Sequence, residues 1–181
     1  MERKVFSRAK WIWIHGENRS DEYAEFVFDF DGALNSKYSF FITADSNYNV
    51  YLNGVLIGFG QPTDYPHYKI YDEFSLADVK EGKNQIKIVV WYYGDDTQTY
   101  IKDDAGAIFE LRKDDKLIYA SSEKTLSRLC TEYENYRNKN ITVQLGLGYK
   151  YIAGEKNSLP YAESLVREKS RHFHLRATEK V

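Results

Sequence analysis

Adjacent acidic pairs are the residues of this chain whose type and spacing first suggest chemistry. Asp95-Asp96 and Asp103-Asp104 lie in one polar stretch, and Asp114-Asp115 follows further along the chain. Acid–base catalysis by paired carboxylates needs two groups roughly 5 to 10 Å apart, one of them with a raised pKa. Neighbouring Asp residues on a loop are more typical of solvated turns, where they form local hydrogen bonds. We therefore predict no catalytic residue in the chain.

Two of these pairs fit metal binding better than catalysis. Hard cations such as calcium prefer several oxygen ligands, which converging carboxylates supply. If the pairs of the polar stretch converge, they form a calcium site, although their spacing does not match an EF-hand loop. The residues of this predicted site are Asp95, Asp96, Asp103 and Asp104.

Aromatic side chains beside planar polar groups suggest a second chemistry, the binding of sugars. A pyranose ring has apolar C–H faces and a rim of hydroxyls, so its site needs an exposed aromatic platform next to polar groups. The alternative for Trp91 is burial under another element or domain, and Asp45 and Asn47 equally suit a turn at a strand end. The predicted platform comprises Trp91, Tyr93, Tyr65, Tyr68 and Tyr100, with polar contacts from Asp45 and Asn47.

A β-hairpin is the clearest element that positions these side chains. In the stretch 43–58, TADSNYNVYLNGVLIG, side chains alternate between two faces and then meet Asn53-Gly54. Asn-Gly is the favoured pair for a type I′ turn. We expect Tyr48, Val50 and Leu52 to share one face of the first strand.

Further strands predict an all-β fold. The strongest, 85–93, is apolar on both faces and therefore belongs in the middle of a sheet, with its second face under a sheet, a partner domain or a ligand. About nine to eleven strands at regular spacing favour a jelly-roll β-sandwich. We assign residues 1–153 to this sandwich and 154–181 to a linker, or to a strand that leads to a downstream domain.

Composition and charge limit the partners of the chain. It has 181 residues, a formal net charge of −2 and a pI near 6.1, with Lys and Arg scattered along its length. This balance predicts neither nucleic-acid nor membrane binding. Cys130 is the single cysteine, so no intramolecular disulfide can form, and the apolar run WIWI is too short for a signal-peptide core. We therefore expect a cytoplasmic protein.

The order of several segments resembles the N-terminal region of bacterial α-L-rhamnosidases and related large glycoside hydrolases. The strand that ends in Asn-Gly, the Tyr-Asp strand and the Gly-x-Asn turn are also similar to sugar-binding jelly-roll domains of β-galactosidase-like enzymes, which implies a galactose-binding-like sandwich. The later segments favour the rhamnosidase-like group. The segments that carry the resemblance are TADSNYNVYLNGVLIGFG, HYKIYDEFSLADVKEGKNQIKIVVWYYG, GAIFEL, SSEKTLSRL and ITVQLGLGYKY.

This resemblance implies a non-catalytic role. Rhamnosidases carry their catalytic acids in a downstream α/α barrel, and the β-rich residues of this chain leave no room for such a barrel. The expected function is an accessory domain of a rhamnosidase-like hydrolase that binds a rhamnose- or galactose-containing glycan or shapes the active-site entrance. The alternative is a purely structural domain that packs on the catalytic barrel or forms a dimer, without a sugar site.

Overall fold

The computed structural model describes residues 5–60, 64–137, 140–142, 146–168 and 171–176. Within these ranges the chain contains strands, turns and irregular segments but no helix, so none is present that could span a membrane. The strands are β1 (Ile12–Trp13), β2 (Glu22–Gly32), β3 (Tyr38–Asp45), β4 (Asn47–Leu52), β5 (Val55–Gly60), β6 (Tyr68–Ser75), β7 (Gly82–Tyr92), β8 (Gly106–Lys113), β9 (Lys116–Ala120), β10 (Leu126–Leu129), β11 (Asn140–Thr142), β12 (Gly146–Leu147), β13 (Ala162–Glu163), β14 (Leu165–Val166) and β15 (His172–Leu175).

Two large sheets form a β-sandwich. The first sheet has the order β14-β1-β8-β3-β6-β15, with β9 paired to β8, and the second has the order β13-β10-β2-β7-β4-β5. Strands β11 and β12 form a separate two-stranded sheet. The predicted all-β sandwich is therefore confirmed.

The hydrophobic core lies between the two large sheets because each long strand turns alternate residues inward. Phe26 on β2 and Phe109 on β8 are fully buried, and their ring centroids are 6.4 Å apart across the sandwich. Tyr48, Val50 and Leu52 of β4 share one face, as the alternation predicted, and this face points into the core. The other side chains of each long strand therefore face the outside of the sandwich.

The hairpin between β4 and β5 turns at the predicted pair. Asn53 has a φ of 51° and Gly54 a φ of 83°, and positive φ at both central residues is the requirement of a type I′ turn. The two strands pair antiparallel, and β4 also pairs with β7. The hairpin therefore fixes the edge of the second sheet and the register of β4 against the central strand.

The segment after Gly154 takes part in both large sheets. Strand β13 pairs with β10, β14 pairs with β1, and β15 runs parallel to β6. We expected a linker or a strand that leads to a downstream domain, and the described part of this segment adds short strands to both large sheets. The physical reason is that short strands at a sheet edge are held by distant partners, which local sequence does not show.

Candidate functional site

The outer face of the second sheet presents a row of polar and aromatic side chains. Asn47 on β4 and Tyr23 on β2 both face Trp91 on β7 across the strand pairs, and Asn49 is paired with Val89 in the same way. The central strand β7 is apolar on both faces, as predicted, and Val89 and Trp91 lie on its outer face. An irregular segment around Tyr133 packs against part of it.

A groove of about 280 Å³ lies on this face. Trp91, Tyr133 and Tyr149 line it, Tyr149 is 66% exposed, and Asn47 and Asn49 contribute polar groups. We call this hollow the aromatic groove. An open aromatic surface with a few polar groups at its side is the arrangement that sugar rings require.

Ring stacking holds the aromatic side chains of the groove in place. Tyr23 lies between Trp91 and Tyr133, with ring centroids 5.2 and 4.7 Å away and nearly parallel planes. The Trp91 indole Nε1 donates a hydrogen bond of 2.8 Å to Asp21 Oδ1. Offset-stacked aromatic rings and a tethered indole lose little further freedom when a ligand arrives. The platform is therefore preorganised.

The polar edge of the groove comes from β4. Asn47 Nδ2 donates a hydrogen bond of 2.7 Å to the hydroxyl of Tyr93, which fixes the orientation of the amide. The Asn47 side-chain carbonyl accepts no hydrogen bond within the described ranges, so it is available to a ligand hydroxyl.

A second hollow of about 480 Å³ continues from the groove along β7 and shares Val89, Tyr133 and Tyr149 with it. Lys87 lies at this end, with its ammonium group 5.0 Å from the Tyr51 ring centroid, and Glu132 lines the same hollow. Polar groups therefore continue along β7 beyond the aromatic groove.

Burial keeps Tyr133 and Tyr93 in the neutral form over the physiological pH range. Burial raises the pKa of Tyr133 to about 12, and the neighbouring Tyr51 adds to the rise. Burial also raises the pKa of Tyr93, and its hydrogen bond with Asn47 opposes this rise. The groove therefore offers neutral rings and hydroxyls, which suits an uncharged ligand, and none of these groups is activated as a nucleophile or a base.

The predicted platform residues separate into different places. Trp91 lines the aromatic groove, and Tyr93 packs edge-on against it with centroids 4.6 Å apart. Tyr65 is exposed beside a different hollow of about 160 Å³, and Tyr68 stacks on His174. Tyr100 is buried and donates a hydrogen bond to Asp45, so it cannot serve as an exposed platform.

Asp45 does not contribute to a ligand site. It is fully buried and accepts a hydrogen bond of 2.8 Å from the ammonium group of Lys69. Its second oxygen accepts the hydroxyls of Tyr100 and Ser46. The prediction for Asp45 was wrong because its partner on β6 is 24 residues away, and the sequence does not show the pairing.

The predicted calcium site is not supported. Among the residues that the structure describes, no group of three or more His, Cys, Asp or Glu side chains is placed to hold a metal ion. Asp103 instead pairs with Arg171 at 3.2 Å, and Asp96 accepts a hydrogen bond from the backbone of Lys102. The described residues therefore do not bring the four carboxylates together as the prediction required.

Several groove residues, among them Tyr23, Tyr133 and Tyr149, were not predicted from the sequence. Tyr133 and Tyr149 come from the irregular segment before and after β11 and β12, and Tyr23 precedes the apolar run of β2. The sequence feature that could have indicated the groove is the density of tyrosines in residues 133–151, which contain Tyr133, Tyr136, Tyr149 and Tyr151. Sequence gives no indication that this segment packs on β7.

Solved structures of glycoside hydrolases contain the same fold. The GH78 family rhamnosidase of Bacillus sp. GL1 matches 93% of this chain with a TM-score of 0.81 and 21% identity, and the α-L-rhamnosidase of Dictyoglumus thermophilum matches 93% with a TM-score of 0.64 and 18% identity. The chain has the fold of an α-L-rhamnosidase β-domain. It spans about a fifth of the length of these proteins, 20% and 22% respectively.

A lectin shares the sandwich as well. The lectin of Pleurotus ostreatus in complex with GalNAc matches 90% of this chain and 44% of its own length, with a TM-score of 0.58 and 15% identity. No protein-family model matches the sequence, and no curated protein matches it. At these identities the likeness establishes the fold alone.

Proposed function

We propose that this chain is a non-catalytic accessory domain of a rhamnosidase-like glycoside hydrolase and that its aromatic groove binds a neutral sugar, such as a rhamnose- or galactose-containing glycan. The observation that carries the proposal is an open groove in which Trp91 and the exposed Tyr149 lie beside the amide of Asn47. Rhamnosidases and a GalNAc-binding lectin share the sandwich, which supports this choice of ligand class. The partner in the same protein is a downstream catalytic domain.

Cytoplasmic residence is part of the same proposal. It rests on the single cysteine, Cys130, which is fully buried and whose pKa burial raises to about 12, so its thiol is unreactive.

The groove also indicates how a sugar would bind. A pyranose C–H face would lie on the indole of Trp91, and its hydroxyl rim would meet the Asn47 carbonyl and the Asn49 amide. Tyr149 would cover the opposite side of the ring. Truncation of such an aromatic wall should weaken binding roughly three- to tenfold.

Calorimetric titration of the chain with L-rhamnose, galactose and rhamnose-containing oligosaccharides tests the proposal. We expect millimolar or tighter binding that weakens in Tyr149→Ala and does not change in Tyr65→Ala, since Tyr65 is 57% exposed but lies outside the groove. Absence of heat with every sugar would contradict the sugar-binding role. Hydrolysis of an aryl rhamnoside by the chain alone would contradict the non-catalytic role.

One observation favours the alternative of a structural domain. The edge strand β5 exposes Val55, Leu56 and Phe59, each more than half exposed, and such apolar edges are typical of interfaces. In this case the chain would pack on the catalytic barrel or on a second copy. Sedimentation velocity tests the second copy: a dimer that dissociates in Leu56→Asp would support it, and a monomer at all concentrations would contradict it.

A further inference from the structure

The aromatic groove and the second hollow lie side by side on the outer face of the second sheet. They share Val89, Tyr133 and Tyr149, and the second hollow is the larger, at about 480 Å³ against about 280 Å³. The described residues that line the second hollow alone are Tyr51, Gly54, Lys87, Glu132 and Tyr151. The two hollows therefore form one elongated surface, which we call the extended cleft.

Two paired strands give the extended cleft its direction. Asn47 on β4 pairs with Trp91 on β7, and Tyr51 pairs with Lys87 further along the same two strands. Each strand advances four residues between these pairs, which keeps both pairs on the outer face and separates them by about 13 Å. A single pyranose ring is shorter than this distance. The extended cleft therefore has room along β7 for a linear ligand of more than one ring.

Exposed rings are present along the whole extended cleft. Tyr149 is 66% exposed and Tyr151 is 53% exposed, so a ligand can reach both side chains. Tyr133 contacts both of them edge-on, with ring centroids 6.3 Å from Tyr149 and 5.4 Å from Tyr151. Tyr149 lines both hollows, whereas Tyr151 lines the second hollow and not the aromatic groove. Each hollow therefore offers an accessible ring to the apolar face of a sugar.

The second hollow is polar without an excess of charge. Its described lining contains one ammonium group, that of Lys87, and one carboxylate, that of Glu132. Burial raises the pKa of Tyr51, and Lys87 and a hydrogen bond with Asn49 oppose this rise, so the phenol stays neutral at physiological pH. Hydrogen bonds in which one partner is charged are stronger than those between neutral groups. The lining therefore favours an uncharged ligand that is rich in hydroxyl groups.

We propose that the extended cleft binds a linear, neutral oligosaccharide, with one sugar residue on Trp91 and a following residue against Tyr151 and Lys87. This inference rests on the proposed sugar-binding function and adds that the ligand is a glycan of more than one residue. The hydroxyl groups of the following residue would accept from Lys87 Nζ and donate to the Glu132 carboxylate. Small-molecule sites start at roughly 300 Å³, so the aromatic groove alone is at the lower limit and the second hollow adds the larger part of the contact surface.

Calorimetric titration with sugars of increasing length tests this proposal. The probes are L-rhamnose and D-galactose, each compared with its own linear disaccharide and trisaccharide. In at least one series we expect the longer sugars to bind about tenfold or more tightly than the monosaccharide, because they add a second aromatic contact and hydrogen bonds to charged groups.

The indole NMR signal of Trp91 separates this proposal from the function on which it rests. If a monosaccharide shifts this signal and no longer sugar binds more tightly, the sugar-binding function stands and the extended cleft is overturned. If no sugar of either series produces heat or a shift, both are overturned. Trp13 is fully buried in the core, and its unchanged signal shows that the chain stays folded during each titration.

Two tyrosine variants locate the gain in affinity. Tyr151→Ala removes the ring that lines the second hollow alone, so the ratio of trisaccharide to monosaccharide affinity should fall by about threefold to tenfold. Tyr65→Ala is the matched control, because Tyr65 is similarly exposed, at 57%, and lines neither hollow. This control should keep the ratio of the parent chain.

Lys87→Met gives a second, independent test in the same hollow. It keeps most of the apolar stem of the side chain and removes the ammonium group, so the same affinity ratio should fall by about threefold or more. A lower ratio in Tyr151→Ala or in Lys87→Met, with the ratio of Tyr65→Ala unchanged, supports the extended cleft. The proposal is overturned if both variants keep the parent ratio, or if Tyr65→Ala lowers the ratio as much as they do.

Discussion

Lys69 shows how far a residue's role depends on partners distant in the sequence. It is 1% exposed on β6, with its ammonium group 2.8 Å from Asp45, 3.0 Å from Asp64 and 4.0 Å from Asp103. Burial alone would raise the pKa of Asp64, and Lys69 opposes that rise. This cluster explains why Asp45 and Asp103 are structural residues and not ligands of a sugar or a metal.

Replacement of Lys69 should destabilise the chain strongly. Lys69→Met leaves Asp45 and Asp64 as uncompensated buried charges, which typically costs about 3–5 kcal/mol of the free energy of unfolding. The matched control is Lys10→Met, because the Lys10–Glu123 pair is half exposed on both sides and should cost less than about 1 kcal/mol. Urea unfolding followed by fluorescence measures both. Equal, small losses would contradict the structural role of the cluster.

Alkaline pH should unfold the chain through its buried tyrosines and cysteine. Burial raises the pKa of Tyr133 and of Cys130 to about 12, and it raises the pKa of Tyr100 further. Since the folded state favours the neutral forms, their stabilisation is complete below the ordinary values of 9.0 for Cys and 10.0 for Tyr, and it is lost as the pH rises through 12. Tyrosine absorbance should show part of the tyrosines titrating only with unfolding, and titration of all tyrosines near pH 10 in a folded chain would contradict this.

At the scale of elements, local patterns predicted the strands that carry their own signal. The hairpin at Asn53-Gly54 has a specific turn pair and the central strand β7 has a continuous apolar pattern, and both are confirmed. Strands β13 to β15 are two to four residues long and depend on pairing with β10, β1 and β6. Sequence periodicity cannot detect such short strands. For the same reason it did not indicate that Tyr133 and Tyr149 lie in the aromatic groove.

Removal of the last three strands should therefore weaken the sandwich. A chain that ends at Ala153 loses β13, β14 and β15, together with the ion pairs Arg171–Asp103 and Arg176–Asp72. Buried Asp103 would lose the partner that lies 3.2 Å away, and loss of such a partner costs about 3–5 kcal/mol. Thermal unfolding should show a clearly lower Tm than the full chain.

Arg176→Gln is the control for the truncation. It removes a single pair whose arginine side chain is 20% exposed, and it keeps all three strands, so its Tm should lie between those of the full and shortened chains. A shortened chain with the same Tm as the full chain would place the domain boundary at Gly154 after all.

At the scale of the whole molecule, each large sheet carries a hollow on its outer face. The aromatic groove on the second sheet is lined by neutral aromatic and amide groups, and the hollow on the first sheet is lined by arginines and apolar side chains. The two hollows therefore differ in the chemistry of their linings. The all-β sandwich was predictable from the sequence, whereas both hollows depend on irregular segments that fold back over the sheets.

The indole NMR signals of the three tryptophans test the central claim most directly, because Trp91 lies in the aromatic groove, Trp11 in the other hollow and Trp13 in the core. Titration of the chain with L-rhamnose, and separately with galactose, should shift the Trp91 signal in a saturable manner and leave Trp13 unchanged. Tyr149→Ala should reduce the response. A Trp91 signal that stays in place at millimolar concentrations of both sugars would contradict sugar binding in the aromatic groove.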